Sequence, residues 1–163
     1  MPWSADPVHS HIAFGVKHLG LSLVRGEFKT FTVESEIDES DITRSKASVT
    51  VDVASIQSSM EVIGQHLKGA DFLDAENHST ITFTTKRLTR DSVVGDLTIR
   101  GNMKEVQLAA EMAGPIQDPW GKTRAGLTAT GKIDRRDFGI TKDFGPVVSE
   151  TVHLTIDLEL IKS

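Results

Sequence analysis

Residues 8–28 read VHSHIAFGVKHLGLSLVRGEF. In an extended chain successive side chains point to opposite sides, so Ser10, Ile12, Phe14, Val16 and His18 share one face, and His9, His11, Ala13, Gly15 and Lys17 share the other. The first face is mostly apolar and ends in a histidine. A one-sided apolar stripe needs partners of the same kind, and most later segments supply them. This predicts an antiparallel β architecture.

Working outward, Leu19-Gly20 makes a turn and residues 24–37 form a second long strand. Its apolar face switches, because Gly26 and Phe28 have one parity while Phe31, Val33 and Ile37 have the other. A bulge or sharp bend at Lys29-Thr30 accounts for the switch. Residues 46–53 alternate cleanly, with Val49, Val51 and Val53 inward. Residues 58–67 break the rhythm: Met60, Ile63 and Leu67 fall on a helical stripe, Ser58 and Glu61 are spaced as a capping box, and Gly69 is placed as a stop. A further turn runs through residues 70–74, so a short helical segment is predicted near residues 58–74. Strands resume at residues 80–88 (Ile81, Phe83 inward), 92–99 (Val93, Leu97, Ile99), 104–113 (Val106, Leu108, Met112), 123–133 (Leu127, Ala129, Ile133) and 149–161 (Val152 to Leu160 at every second position). About eight strands with short links fit an all-β, eight-stranded antiparallel barrel that can hold one small ligand. Inward alternation looks the same in a filled two-layer sandwich, which stays open on pattern alone.

Composition narrows the function. A chain of 163 residues is in the range of a single domain, read here as residues 1–163. With 18 basic and 23 acidic residues the net charge is -5, and no basic run could neutralise a phosphate backbone, which argues against a nucleic-acid partner. There is no cysteine, so disulfides, thiolate nucleophiles and zinc-thiolate sites are excluded. No stretch approaches the ~18 apolar residues of a spanning helix. The N-terminus MPWSADPVHS has no basic region followed by an apolar run, so the sequence as it stands is expected to be cytoplasmic, or periplasmic if Met1 is not the native start.

An ordered series of short motifs resembles the YceI-like family of polyisoprenoid-binding proteins over nearly the whole chain. The series starts with Trp3, Asp6, His9-Ser10, Phe14, His18-Leu19-Gly20 and Gly26-Glu27-Phe28. It continues through Val51-Asp52-Val53, Ser55-Ile56, His66-Leu67, Asp71-Phe72, Ile81-Thr82-Phe83, Gly95-Asp96-Leu97-Thr98-Ile99 and Arg136-Asp137-Phe138-Gly139-Ile140. The resemblance implies an extended, lipocalin-like antiparallel barrel holding an isoprenoid chain, such as a polyprenyl lipid or isoprenoid quinone, in an apolar lumen. It implies no cofactor, and a homodimer is left open. Two positions depart from the family pattern: Ile63-Gly64 stands where the family usually has an Arg-Asp pair, and His78-Ser79 stands near where it usually has Tyr-Pro. The first change makes the helix more apolar, as suits a lid over a lipid.

Shared parity predicts a lumen lined by Phe14, Val16, Phe28, Val49, Val51, Phe83, Leu97, Ile99 and Leu108, with Ile63, Leu67 and Phe72 added from the helical cap. His18, at the end of the inward stripe, and Arg136, at a barrel corner, are the candidates to meet a polar head group. A backbone-bonded histidine and a structural ion pair are the plainer readings of the two. His9 and His11 on one strand face suggest a metal site, but His18 lies on the opposite face and the nearest carboxylates, Asp6 and Glu27, sit at or beyond the strand ends, so no metal is expected. No nucleophile-base motif, phosphate loop or dinucleotide fingerprint is present. The expectation is a binding protein. The alternatives are an enzyme using His18 and His66 as acid and base, and a structural protein with a filled barrel.

Overall fold

The computed structural model describes residues 3–163. Its strands are β1 (Trp3–Ala5), β2 (His11–His18), β3 (Ser22–Phe28), β4 (Phe31–Glu36), β5 (Lys46–Asp52), β6 (Ile56–Ser58), β7 (Thr80–Leu88), β8 (Ser92–Ile99), β9 (Asn102–Gln117), β10 (Thr123–Asp134) and β11 (Val148–Lys162), with one helix, α1 (Glu61–Lys68), between β6 and β7. All pairings are antiparallel, and β11 pairs β10 on one side and both β1 and β2 on the other, which closes the sheet. The first six strands are three staves, each interrupted once. β1 and β2 run beside β11, β3 and β4 beside them in turn, and β5 and β6 beside those. With β7 to β11 they make an eight-stave antiparallel barrel.

The interruptions follow from the sequence. At Lys29 and Thr30 the inward parity changes hands, from Gly26 and Phe28 to Val33 and Ser35, all buried. The chain meets this with a full break between β3 and β4 in place of a bulge. On the adjacent stave a short 3-10 helix, Val53–Ser55, falls at the same level, and Asp52 N donates to Thr30 O (2.9 Å) while Thr30 N donates to Ser55 Oγ (3.0 Å). The breaks therefore support one another, since the N–H groups of Lys29, Thr30 and Asp52 find acceptors across the two staves where the wall bends.

The two ends differ. At the far end Trp3, Val33, Ala125 and Leu160 are buried in the core and fill the barrel. At the near end the connections fold over the opening: α1 with the turns after it, and the 3-10 helix Arg135–Phe138 with residues 139–147. α1 starts later than the spacing suggests. Met60 stands at its N-cap without a side-chain cap, because Ser58 ends β6 and its hydroxyl donates to Arg25 O (2.6 Å). The capping box of Ser58 and Glu61 is thus not formed; the strand pairing takes the serine first. Gly69 does end the helix, with its N–H donating to His66 O (3.1 Å).

Candidate functional site

Inside the barrel is a cavity of about 170 Å³. On the same kind of measure one water needs only ~10–15 Å³, and apolar cavities of about 150 Å³ stay dry and take up apolar molecules. The barrel is hollow rather than filled by its own side chains. Along β11 the wall runs from Val148 to Leu158. At ~3.3 Å per residue and a tilt of about 40°, that is a tube roughly 25 Å long.

Phe14, Val16, Phe28, Val49, Val51, Phe83, Leu97, Ile99 and Leu108 all line this tube, as their parity predicts, and Leu67 and Phe72 close over it. Glycines set its bore: a Cβ at Gly26 would run into the Phe14 ring lying across it from the neighbouring strand, and one at Gly95 would lie 2.5 Å from the Phe83 ring. Of the lining residues only Thr85 and Arg135 have polar side chains, and the Thr85 hydroxyl is occupied as acceptor for Ala47 N (2.9 Å). The wall therefore presents an apolar surface to the cavity, with the polar atoms of Thr85 and Arg135 turned away from it.

Three predicted site residues lie elsewhere. His18 is exposed: it is the last residue of β2, opposite Ser22 and Val148 at the rim, where the wall that gives inward parity its meaning has ended. Arg136 is also exposed, and its Nη2 binds Asp134 (2.6 Å) and Glu150 (3.1 Å) on the outside. Ile63 packs on the core from α1 without reaching the cavity, while Gly64 and Leu67 form the helix's buried face. His66 is exposed on the last turn of α1. Neither His18 nor His66 makes a side-chain hydrogen bond or ion pair among the described residues, so the two do not form an acid-base pair at the lumen.

Sequence reasoning missed Arg135, which faces inward and is 5% exposed. Its Nε donates to Ser149 O (3.1 Å) and its Nη1 to Ile140 O (2.7 Å) and Lys142 O (3.2 Å). The signal was present, since carrying the inward parity of Ala129 and Ile133 on by two residues, just past the strand, lands on Arg135. Local structure fixes it there: the Asp134 carboxylate caps the 3-10 helix by accepting from Arg136 N (2.9 Å), and Gly139, at φ 81, turns the chain back so that Phe138 is driven into the core. Asn102 then ties the β8-β9 hairpin to this corner through Phe138 O (3.0 Å).

The mouth is clasped. Phe72 and Phe144 stack with centroids 4.9 Å apart, Lys142 binds Asp71 (2.9 Å), the Arg135 guanidinium lies 5.2 Å from the Phe144 centroid, and Arg100 Nη1 donates to Phe72 O (2.9 Å). The two covering segments are thereby joined to each other and to the wall.

The histidines near β2 take separate partners. His9 bonds Asp6 (2.8 Å) and approaches Glu159 (3.4 Å), while His11 bonds Glu27 (2.9 Å). His9 lies in the bend before β2, so it does not share a strand face with His11. Arg124 enters the first cluster, binding Asp6 (2.9 Å), Glu159 (3.0 Å) and Asp118 (2.6 Å), so a guanidinium supplies the positive charge there. The hydrogen bond from His9, helped by Arg124, holds the Asp6 carboxyl well below the usual carboxylate range, and the same bond raises His9.

A closed antiparallel barrel with a capped, almost wholly apolar lumen is a hollow, lipocalin-like β-barrel. The YceI-like domain profile matches residues 3–160. The chain belongs to the YceI-like family. It is 38% identical over 159 residues to the UPF0312 protein of Serratia proteamaculans (strain 568), covering 95% of this chain and 82% of that protein. Among solved structures it resembles Burkholderia cenocepacia BcnA, with a TM-score of 0.84 at 21% identity over 95% of this chain and 98% of the other. It also resembles a domain from Saccharophagus degradans described as polyisoprenoid-binding and implicated in plant cell wall breakdown, with a TM-score of 0.73 at 15% identity over 99% and 98% of the two chains. At these identities the last two likenesses speak for the fold. Among the described residues no helix is long and apolar enough to cross a membrane.

Proposed function

We propose that this protein binds a polyisoprenoid lipid by its tail, holding it in the barrel lumen for carriage or storage. The observation that carries the reading is the tube itself, hollow, capped, and apolar at every wall position except Thr85 and Arg135. Family membership and the description of the Saccharophagus domain as polyisoprenoid-binding support the choice of ligand. Burying one isoprene unit is worth about 3–4 kcal/mol gross, at ~0.8 per methylene-sized group. A few units already supply ample binding energy once ordering costs are subtracted. Tail burial is therefore the driving term, and polar contacts orient the ligand. The wall presents no carboxylate, histidine or nucleophile to a bound chain, which favours binding over catalysis.

The test is native mass spectrometry of the protein purified from its own source, followed by organic extraction. The expected result is an adduct whose extracted mass series steps by isoprene units. A protein that neither carries such a lipid nor takes up added geranylgeraniol would contradict the proposal.

A further inference from the structure

A group of large apolar side chains stands exposed on the outside of the molecule, around the mouth. Leu19 (46% exposed) and Leu21 (80%) form the tip of the β2-β3 hairpin, and Val147, also exposed, lies beside them, its carbonyl accepting from Leu19 N (3.2 Å). β6 runs towards the same tip, with Ser58 paired to Gly26, and leads into Met60 and Val62 at the start of α1, both exposed. The tip is built against local preference. Leu19 and Gly20 both have positive φ (56 and 68) and Leu21 N donates to His18 O (2.9 Å), a turn that favours Asn-Gly at its centre. A leucine held in the left-handed region costs free energy, and at an exposed tip it recovers little by burial within the chain.

Charge singles out the occupant. Lys17 and Arg25 are exposed on the two strands just behind the tip, and neither pairs with a carboxylate among the described residues. In a chain of net charge -5, no acidic residue occurs between Asp6 and Glu27; Glu61, between Met60 and Val62, is the acidic exception on this rim. A second copy of the chain fits poorly, because a two-fold contact at the tip would bring two basic edges together. We propose that the rim formed by Leu19, Leu21, Met60, Val62 and Val147 is a membrane-docking surface: these side chains enter the head-group layer of an anionic bilayer, and Lys17 and Arg25 meet its phosphates. Docked in this way, the mouth of the barrel opens onto lipid instead of water. The proposal goes beyond the tail-binding reading and stands on different residues, so either can fail without the other.

The experiment sediments the full chain with vesicles of phosphatidylcholine alone and of phosphatidylcholine mixed with phosphatidylglycerol. The mixed vesicles should bind roughly tenfold more tightly, a gain that the double variant Lys17→Gln, Arg25→Gln should lose. Leu19→Asn and Leu21→Ser should each weaken binding several-fold, and because Asn suits the turn, Leu19→Asn should do so without lowering the melting temperature. Both variants should keep the affinity of the free protein for geranylgeraniol, which separates loss of docking from loss of the lumen. Orientation is read from fluorescence. Trp3 and Trp120, the latter 79% exposed, lie at the far end, so vesicles with brominated acyl chains should leave the wild-type emission unquenched and quench that of Leu21→Trp. Sedimentation with neither vesicle, equal affinity for both, or binding that survives Leu19→Asn and Leu21→Ser would overturn the assignment. So would quenching of the native tryptophans, or self-association through this face in place of vesicle binding.

Discussion

Gly26 lies under the Phe14 ring, and the space its missing side chain leaves is what lets that ring lie against the wall instead of crossing the tube. Gly26→Val should push the ring into the lumen. We expect a destabilisation of about 1–3 kcal/mol from overpacking, and a loss of lipid binding larger than that stability change explains, measured by urea unfolding and by titration side by side. His18→Ala and His66→Ala should leave lipid affinity unchanged within about twofold, because both side chains are exposed and away from the tube. Nine lumen residues were legible from parity alone, since a strand with one buried face fixes the direction of every second side chain. The two polar assignments were not. Parity carries a side chain inward only while neighbouring strands flank it, and His18 lies past that limit. Arg135 and Arg136 are adjacent in a 3-10 helix, where alternation is lost and only the cap at Asp134 and the turn at Gly139 decide which one faces in.

Among the elements, the covering segments are the ones expected to open, since few contacts hold them. The ion pair between Asp71 and Lys142 joins two side chains more than half exposed, and such pairs contribute little to stability. The stacked Phe72 and Phe144 rings are the stronger clasp, at about 0.5–1.5 kcal/mol beyond their buried area. Phe144→Ala should therefore speed lipid uptake and release several-fold while moving the melting temperature by only a few degrees, as read by stopped-flow transfer and calorimetry. Amide hydrogen exchange should be faster in residues 58–74 than in β5, and equal rates would mean a fixed plug in place of a gate. At the other end, three-residue β1 and the bend after it are fastened by Asp6, His9, Arg124 and Glu159. Asp6 has a folded-state pKa below its usual 3.8, so its contribution is present above pH ~4 and is lost as the pH falls further; Asp134, held at about 2 by Arg136, acts in the same direction. His9 has a folded-state pKa above its usual 6.5, so its contribution is present below that pH and fades as the pH rises through the raised value. Urea midpoints should fall on acidification from pH 4 towards pH 2, less steeply in Asp6→Asn, and the decline above neutrality should flatten in His9→Ala. The helix stripe was visible in the sequence, but its first residue was not. Ser58 had two uses open to it, as a cap or as a strand end, and pairing with β3 decided for the second.

For the molecule as a whole, the barrel was readable because each long segment carries the same one-sided alternation and the links are short. Its hollowness did not follow from the strand pattern, which filled and empty barrels share; the length of wall and the family resemblance pointed to a lumen, and how it is kept open depends on how the rings lie against Gly26 and Gly95. Nor could the sequence show that the breaks at Lys29-Thr30 and Val53–Ser55 would line up across neighbouring staves, since that depends on register between strands distant in the chain. The central claim, that a tail buried in the tube drives binding, is tested most directly by titrating isoprenoid alcohols of increasing length against the wild type and against Gly26→Val. Affinity should rise steeply with each of the first few isoprene units, level off once a tube roughly 25 Å long is full, and fall at every length in the variant. Affinity flat with chain length, or unchanged in Gly26→Val, would contradict it.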